Sequence, residues 1–418
     1  MGEDFARELD RQDELSSFRQ EFVIADPHLI YLDGNSLGRL PRATAQHVRA
    51  LVEQQWGEGL IRGWNTGWFD APHRIGGKIA QLVGAKPGEV VVSDSTSVNL
   101  FKLIVAALRL QAGRNRIVSD TGNFPSDLYI AQGAADIFGG IHQIVLAGST
   151  DRVTPDLDDL YRQIDERTAL VTLSHVAFKS GYLYDMEAVT RRAHQAGALV
   201  LWDLCHSVGA LPVELGACGA DLAVGCTYKY LNGGPGAPAF LYVREDLQAR
   251  LNSPIWGWIG QHRPFDFDMT YRPAAGLQHF LTGTPNILSL SAIEPAVDMI
   301  LRAGLDRIRR KSVQLTEYLL FLAEQELVPR GFEIGSPRRA AERGSQVSLR
   351  HPDAYRINRA MIERMNVIPD FREPDNIRLG LVPLYVSFAD VQAAVQRIAN
   401  IMDERLYEGF GVQRLAVT

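Results

Sequence analysis

Several short apolar runs in this chain end in groups that do chemistry. EVVVSDSTS delivers Ser95, Thr96 and Ser97, and RNRIVSD leads to Phe124, Pro125, Ser126 and Asp127. TALVTLSHV delivers Ser174 and His175, ALVLWDLCHS delivers Asp203 and His206, and DLAVGCTYK delivers Tyr228 and Lys229. A lysine partly desolvated at a strand end is an amine nucleophile able to form a Schiff base. Lysine is also scarce here: Lys78, Lys86, Lys102, Lys179, Lys229 and Lys311 are all there are, and arginine carries the rest of the positive charge. Asp203 follows the apolar run ALVLW, where a carboxylate without a cationic partner is costly. A pyridinium nitrogen is one such partner, and a structural ion pair is another. Ser95-Thr96-Ser97 precedes an apolar helix and offers hydroxyls and free N–H groups, the makings of either a phosphate site or an ordinary cap.

Lysine, strand-end aspartate and phosphate-type helix end together are what pyridoxal phosphate (PLP) requires. Competing readings fail on spacing. GGK at 76–78 resembles the end of a P-loop, but Ile79 replaces Ser/Thr and Pro72 holds the first glycine position. NGGPGAP is not GxGxxG and precedes the strand-like AFLYV, where a dinucleotide loop precedes a helix. No Cys/His spacing suits zinc.

The elements that must position these groups are strands alternating with helices. Continuous apolar runs between helical stretches predict an α/β fold with a mostly parallel, buried sheet flanked by helices. In such sheets ligands bind outside the carboxyl ends of the strands, where the polar groups cluster. We divide the chain into an N-terminal segment (1–60), a large cofactor-binding domain (61–288) and a small α+β domain (289–418). The first segment reads helix, strand, helix and completes the small domain. SLSAIEPAVDMILRAGLDRIRRKSVQLTEYLLFLAEQEL reads as long helix, followed by a strand, strand, helix series. Ser387 with Asp390 predicts a capping pair for the last helix. The basic LDRIRRKS reads as a solvated helix face rather than a phosphate patch.

With 418 residues, 46% hydrophobic and 22% charged, the chain is globular; its net charge of -6 argues against nucleic acid as a partner. Three cysteines without regular spacing suit a reducing compartment. The charged N-terminus shows no secretory signal, MGEDFA lacks the myristoylation Ser/Thr, and no apolar run spans a membrane. The cytoplasm is the expected location.

FPSD at 124–127, DLCHSVGALPVEL at 203–215, CTYKYLNGGPGAPAFLYV at 226–243 and GW at 257–258 resemble kynureninase, as do YLDGNSLGRLP and IRLGLVPLY. The resemblance covers most of the chain and implies a fold-type I PLP-dependent transferase fold. It implies that Lys229 carries PLP, Asp203 pairs with the pyridinium nitrogen and Phe124 stacks on the ring, with Pro125 and Ser126 beside it. Asp127 would be a second carboxylate on the ring, Ser95 and Thr96 would bind phosphate, and Ser174, His206 and Tyr228 would complete the shell. Trp258 and Thr284 would reach the neighbouring subunit's PLP phosphate in a homodimer. Arg378 would clamp the substrate α-carboxylate, its planar fork suiting a carboxylate; Asn35 and Trp64 would border the substrate. The implied activity is hydrolysis of L-kynurenine to anthranilate and L-alanine, within tryptophan catabolism by the kynurenine pathway and with a link to NAD biosynthesis. Lys229 would move the α-proton and Tyr228 would relay protons or bind phosphate.

Members that favour 3-hydroxykynurenine carry Asn where this chain has Thr284, and Ser where it has Gly283. Trp64 offers an aromatic wall. Both imply preference for L-kynurenine. The alternative within PLP enzymes is a related β-elimination or desulfurase activity; a desulfurase needs a mobile catalytic cysteine on a flexible loop, a setting that Cys205, Cys218 and Cys226 do not fit. A catalytically silent PLP-fold protein is disfavoured by Lys229, Asp203 and Arg378.

Overall fold

A computed structural model describes residues 2–413. Its large sheet has seven strands: β1 (Val90–Val92), β2 (Arg116–Asp120), β3 (Gln143–Ala147), β4 (Thr168–Ser174), β5 (Leu199–Asp203), β6 (Leu222–Gly225) and β7 (Phe240–Val243). Their order is β1-β7-β6-β5-β4-β2-β3. β3, β2, β4, β5 and β6 are mutually parallel, and β7 runs antiparallel to both β6 and β1. Every residue of β4, β5, β6 and β7 is buried, which is why these strands read as unbroken apolar runs. Because β7 is reversed between β6 and β1, the carboxyl end of β1 lies on the same rim as those of β2, β4, β5 and β6. Helices α1 (Thr96–Leu110) and α2 (Pro125–Asp136) begin at that rim. β3 lies outside the sequence expectation. It is a sheet edge in which only Ala147 is fully buried, so QIVLA lacks the setting of a central strand.

The C-terminal part contains a four-stranded antiparallel sheet, β8 (Glu333–Ile334), β9 (Gln346–Arg350), β10 (Asp370–Arg372) and β11 (Asn376–Gly380), in the order β10-β11-β9-β8. The expected long helix is broken. Gly304, at φ +78, separates α3 (Ile287–Ala303) from α4 (Leu305–Leu322), a left-handed turn that glycine adopts without steric penalty. Helices α5 (Ala354–Met365) and α6 (Phe388–Asp403) follow. The Ser387–Asp390 capping box is formed in both directions.

The first residues of the chain pack onto this C-terminal part. Ile30–Tyr31 pairs in parallel with Val367–Ile368. The Asp10 carboxylate accepts the N–H groups of Phe388 and Ala389 at 2.7 and 3.0 Å, capping α6 from outside. LDRIRRKS departs from a solvated face. Arg310 is exposed, but Lys311 is buried against Asp13 at 2.7 Å, and Arg309 donates to the carbonyls of Ala340 and Arg343.

Candidate active site

A cavity of about 510 Å³ opens at the carboxyl rim of the large sheet. Thr96, Phe124, Ser126, Asp127, Ser174, Asp203, His206, Tyr228 and Lys229 line it, joined by Ser97, Val176, Phe178 and Cys205. The strand ends bring these groups together because the parallel strands terminate side by side: Ser174 is the register neighbour of Asp203, and Asp203 that of Val224.

Its first wall is the start of α1. Ser95 is the N-cap, and its hydroxyl accepts the Val98 N–H at 3.3 Å, so the ordinary capping role is filled. The neighbouring hydroxyls are held loosely: Thr96 Oγ1 lies 3.8 Å from Cys205 Sγ and Ser97 Oγ 3.4 Å from Ser126 Oγ. These hydroxyls and the unpaired N–H groups of a helix start make an anion-binding end. Ser95 and Thr96 also line an adjoining cleft with Tyr228 and Asn286.

The second wall starts at α2, with Phe124 at its N-cap and Pro125 at its first helical position. Asn123 sets this wall. Its Oδ1 accepts the Phe124 N–H at 2.8 Å and the Ser174 hydroxyl at 2.7 Å, while its Nδ2 donates to Ser119 Oγ at 3.0 Å. Phe124 packs edge-on against Phe178, with ring centroids 5.2 Å apart.

The floor holds two buried carboxylates. Asp203 Oδ1 accepts the Cys205 N–H at 2.7 Å. Asp127 Oδ2 is buried with no hydrogen-bond partner among the described residues. Burial, followed by the nearby Asp203, pushes the Asp127 carboxyl well above the usual carboxylate range. Two carboxylates with an unmet oxygen between them suit a protonated ring nitrogen, and the α1 start suits a phosphate. The residues present therefore fit PLP.

Lys229 is half-buried, and among the described residues no hydrogen bond or ion pair holds its Nζ. The turn after it is tight: Asn232 has φ +55, and Gly234 and Gly236 have φ +93 and +73. The N-terminal loop braces this turn from behind. Gly38 N–H donates to the Tyr228 carbonyl at 2.8 Å, and a Cβ at Gly38 would fall 2.4 Å from the Lys229 carbonyl. Burial pushes the Tyr228 hydroxyl upward, so it keeps its proton. His206 is buried, and burial together with the Lys229 charge pushes its imidazole well below the usual histidine range. Burial also pushes His175, which packs against Trp202, down to about 4.

The remaining expected residues lie outside this cavity. Arg378 is 2% exposed and already engaged: it pairs with Asp370, donates to the Phe178 carbonyl at 2.6 Å and to Ser36 Oγ at 3.2 Å, and leaves Nε buried without a partner. Burial lowers its guanidinium to about 10. Asn35 is fully buried, donating to Gln346 Oε1 at 3.0 Å. Trp64 packs edge-on against Trp68, 5.7 Å between centroids. Thr284 lines a separate cleft with Asp94 and Asn286. Trp258 is 40% exposed beside Phe265. The sequence reading missed Asn123, Phe178, Asp370 and Gln346. Asn123 alone carried a local signal, standing directly before FPSD.

Residues 308–398 match the family model described as the kynureninase C-terminal domain. A kynureninase from Pseudomonas fluorescens is 45% identical over 404 residues, covering 96% of this chain and 95% of that one. The chain belongs to the kynureninase family. Solved structures agree on the fold. An apo cysteine desulfurase from Thermococcus onnurineus NA1 superposes with a TM-score of 0.79 at 20% identity, covering 94% of this chain and 98% of that one. A C-DES variant with glycine covalently linked to its PLP cofactor gives 0.79 at 18% identity, covering 91% and 99%. The fold is therefore that of the fold-type I PLP enzymes. Against a desulfurase role within that fold, Cys205 and Cys226 are buried and Cys218 is half-buried.

Proposed function

We propose that this kynureninase-family enzyme hydrolyses the Cβ–Cγ bond of L-kynurenine to give anthranilate and L-alanine, with PLP held in the Lys229 cavity. One observation carries the site: the amine of Lys229 and the Oδ2 of Asp127, both without a hydrogen-bond partner among the described residues, share a cavity with Asp203. When bound, PLP supplies an electron sink for charge developing at the substrate α-carbon.

The chain's own residues do the rest. Lys229 Nζ would hold the cofactor, and its amine would carry the proton from the substrate α-carbon. Asp203, with Asp127 beside it, would hold a proton on the cofactor's ring nitrogen. The α1 start, with Ser95, Thr96 and Ser97, would hold phosphate, and Phe124 would pack on the ring. Tyr228, with its proton retained by burial, is the donor for the leaving side of the cleaved bond. Arg378 Nε is the guanidinium donor left for the substrate α-carboxylate. Trp64 and Asn35, which lie outside the Lys229 cavity, are placed at the substrate's border on the family resemblance alone. The active unit is a homodimer in which Trp258 and Thr284 approach the partner's phosphate. Trp256, Phe265, Phe267 and Met269 are exposed near Trp258, an apolar surface of the kind that subunit contacts cover. Three free cysteines among the described residues support a location in the cytoplasm. No helix among the described residues is long and apolar enough to cross a membrane.

L-kynurenine is the preferred substrate, and 3-hydroxykynurenine a poorer one, on the grounds of Trp64, Gly283 and Thr284. The test is product analysis with purified enzyme and PLP. Anthranilate and alanine in equal amounts are expected; sulfide from cysteine without anthranilate would contradict the reading. Equal or higher kcat/KM on 3-hydroxykynurenine would overturn the substrate preference alone.

A further inference from the structure

Gln346 on β9 is fully buried, and its amide touches three separate parts of the chain. Nε2 donates to the Phe178 carbonyl at 2.9 Å and lies 3.4 Å from the Ala177 carbonyl. Carbonyls only accept, so these two contacts fix which end of the amide is nitrogen. Oε1 then faces the other way, where Asn35 Nδ2 donates at 3.0 Å and His206 Nδ1 lies at 3.2 Å. An oxygen opposite Nδ1 requires a proton on Nδ1. A neutral imidazole carries one N–H, so Nε2 is left bare. The ring is neutral because burial, then the charges of Lys229, Arg378 and Arg372, push its pKa well below the usual range; the Asp203 carboxylate lines the same cavity. Among the described residues nothing hydrogen-bonds Nε2, and His206 forms part of the cavity wall.

We propose that Gln346 is a positioning residue that locks His206 in its Nδ1–H tautomer and so presents Nε2 as a hydrogen-bond acceptor to the ligand in the Lys229 cavity. This rests on that cavity being the cofactor and substrate site. The ligand group opposite Nε2 is then an N–H or O–H donor; an oxyanion there would be repelled. The same amide holds the Phe178 carbonyl to which Arg378 donates at 2.6 Å, so His206 and Arg378 share one anchor. A change at Gln346 reaches both.

The tautomer can be read directly by ¹⁵N NMR of the holoenzyme labelled at histidine, with His206→Gln identifying the resonances. In the wild type Nδ1 is expected protonated and Nε2 bare, unchanged from about pH 6 to 9. Gln346→Leu should release the lock and give a mixture of tautomers. Gln346→Glu should place a carboxylate on Nδ1, protonate Nε2 at neutral pH, add an ionisation to the kcat/KM profile and lower kcat/KM by at least about tenfold. A wild-type Nε2–H, or a tautomer unchanged in Gln346→Leu, would overturn the proposal. If both variants fail to fold, the wild-type spectrum still decides. Anthranilate production with a protonated Nε2 would sink this inference and leave the function standing; a bare Nε2 without anthranilate would do the reverse.

Discussion

Asp127 and Asp370 are both buried carboxylates, 4% and 2% exposed, in opposite circumstances. Asp370 on the small sheet is saturated: it pairs with Arg378 and with Arg372 at 2.7 Å, and accepts the Ser36 hydroxyl at 3.0 Å. Asp127 at the large-sheet rim faces a second carboxylate and has an unpartnered oxygen. Two lysines, Lys102 buried and Lys229 half-buried, repeat the contrast. Lys102, with no exposed surface, is held by Asp94 and by the Phe280 carbonyl at 2.6 Å, whereas no hydrogen bond or ion pair among the described residues holds Lys229 Nζ. A protein that folds with its charges paired in one place and unpaired in another marks the second place as one a ligand completes.

The contrast can be broken by substitution. The largest effect belongs to the unpaired lysine. Lys229→Ala is expected to lower kcat/KM by about 10³-fold or more, while Lys102→Met should act mainly through stability, as the thermal melts of both variants would show. Next, Asp370→Asn strips Arg378 of a buried counterion and should cost about 3 kcal/mol in urea unfolding. The smallest effect has the opposite sign. Asp127→Asn relieves a carboxylate whose charge the fold disfavours, so the apo-protein should gain about 1 kcal/mol while its PLP affinity falls. The folded pKa of Asp127 is raised, so wild-type stability declines as pH rises from about 4 to that pKa. The gap between variant and wild type should therefore open above about pH 4 and close below it. A destabilised Asp127→Asn apo-protein would mean that the carboxylate is paired after all.

The rim was legible because its residues follow unbroken apolar strands, and parallel strands end on one edge. YKYLN after DLAVG and DLCH after ALVLW needed no long-range information. The small-sheet cluster was not legible. Arg378 read as an open clamp, and only the antiparallel register that places it opposite Asp370 shows it engaged. Gln346 was invisible for the same reason: its partner Asn35 lies 311 residues away. Within elements, Gly304 was passed over because the apolar periodicity continues on both sides of it, and β3 because an edge strand need not be apolar throughout.

The central claim is that Lys229 is the residue that holds the cofactor. Reducing the PLP-loaded enzyme with sodium borohydride and mapping its peptides tests this most directly. The account predicts the cofactor's mass on the peptide containing Lys229 and on no other. Its appearance on Lys102 or Lys179, or on no lysine at all, would contradict it.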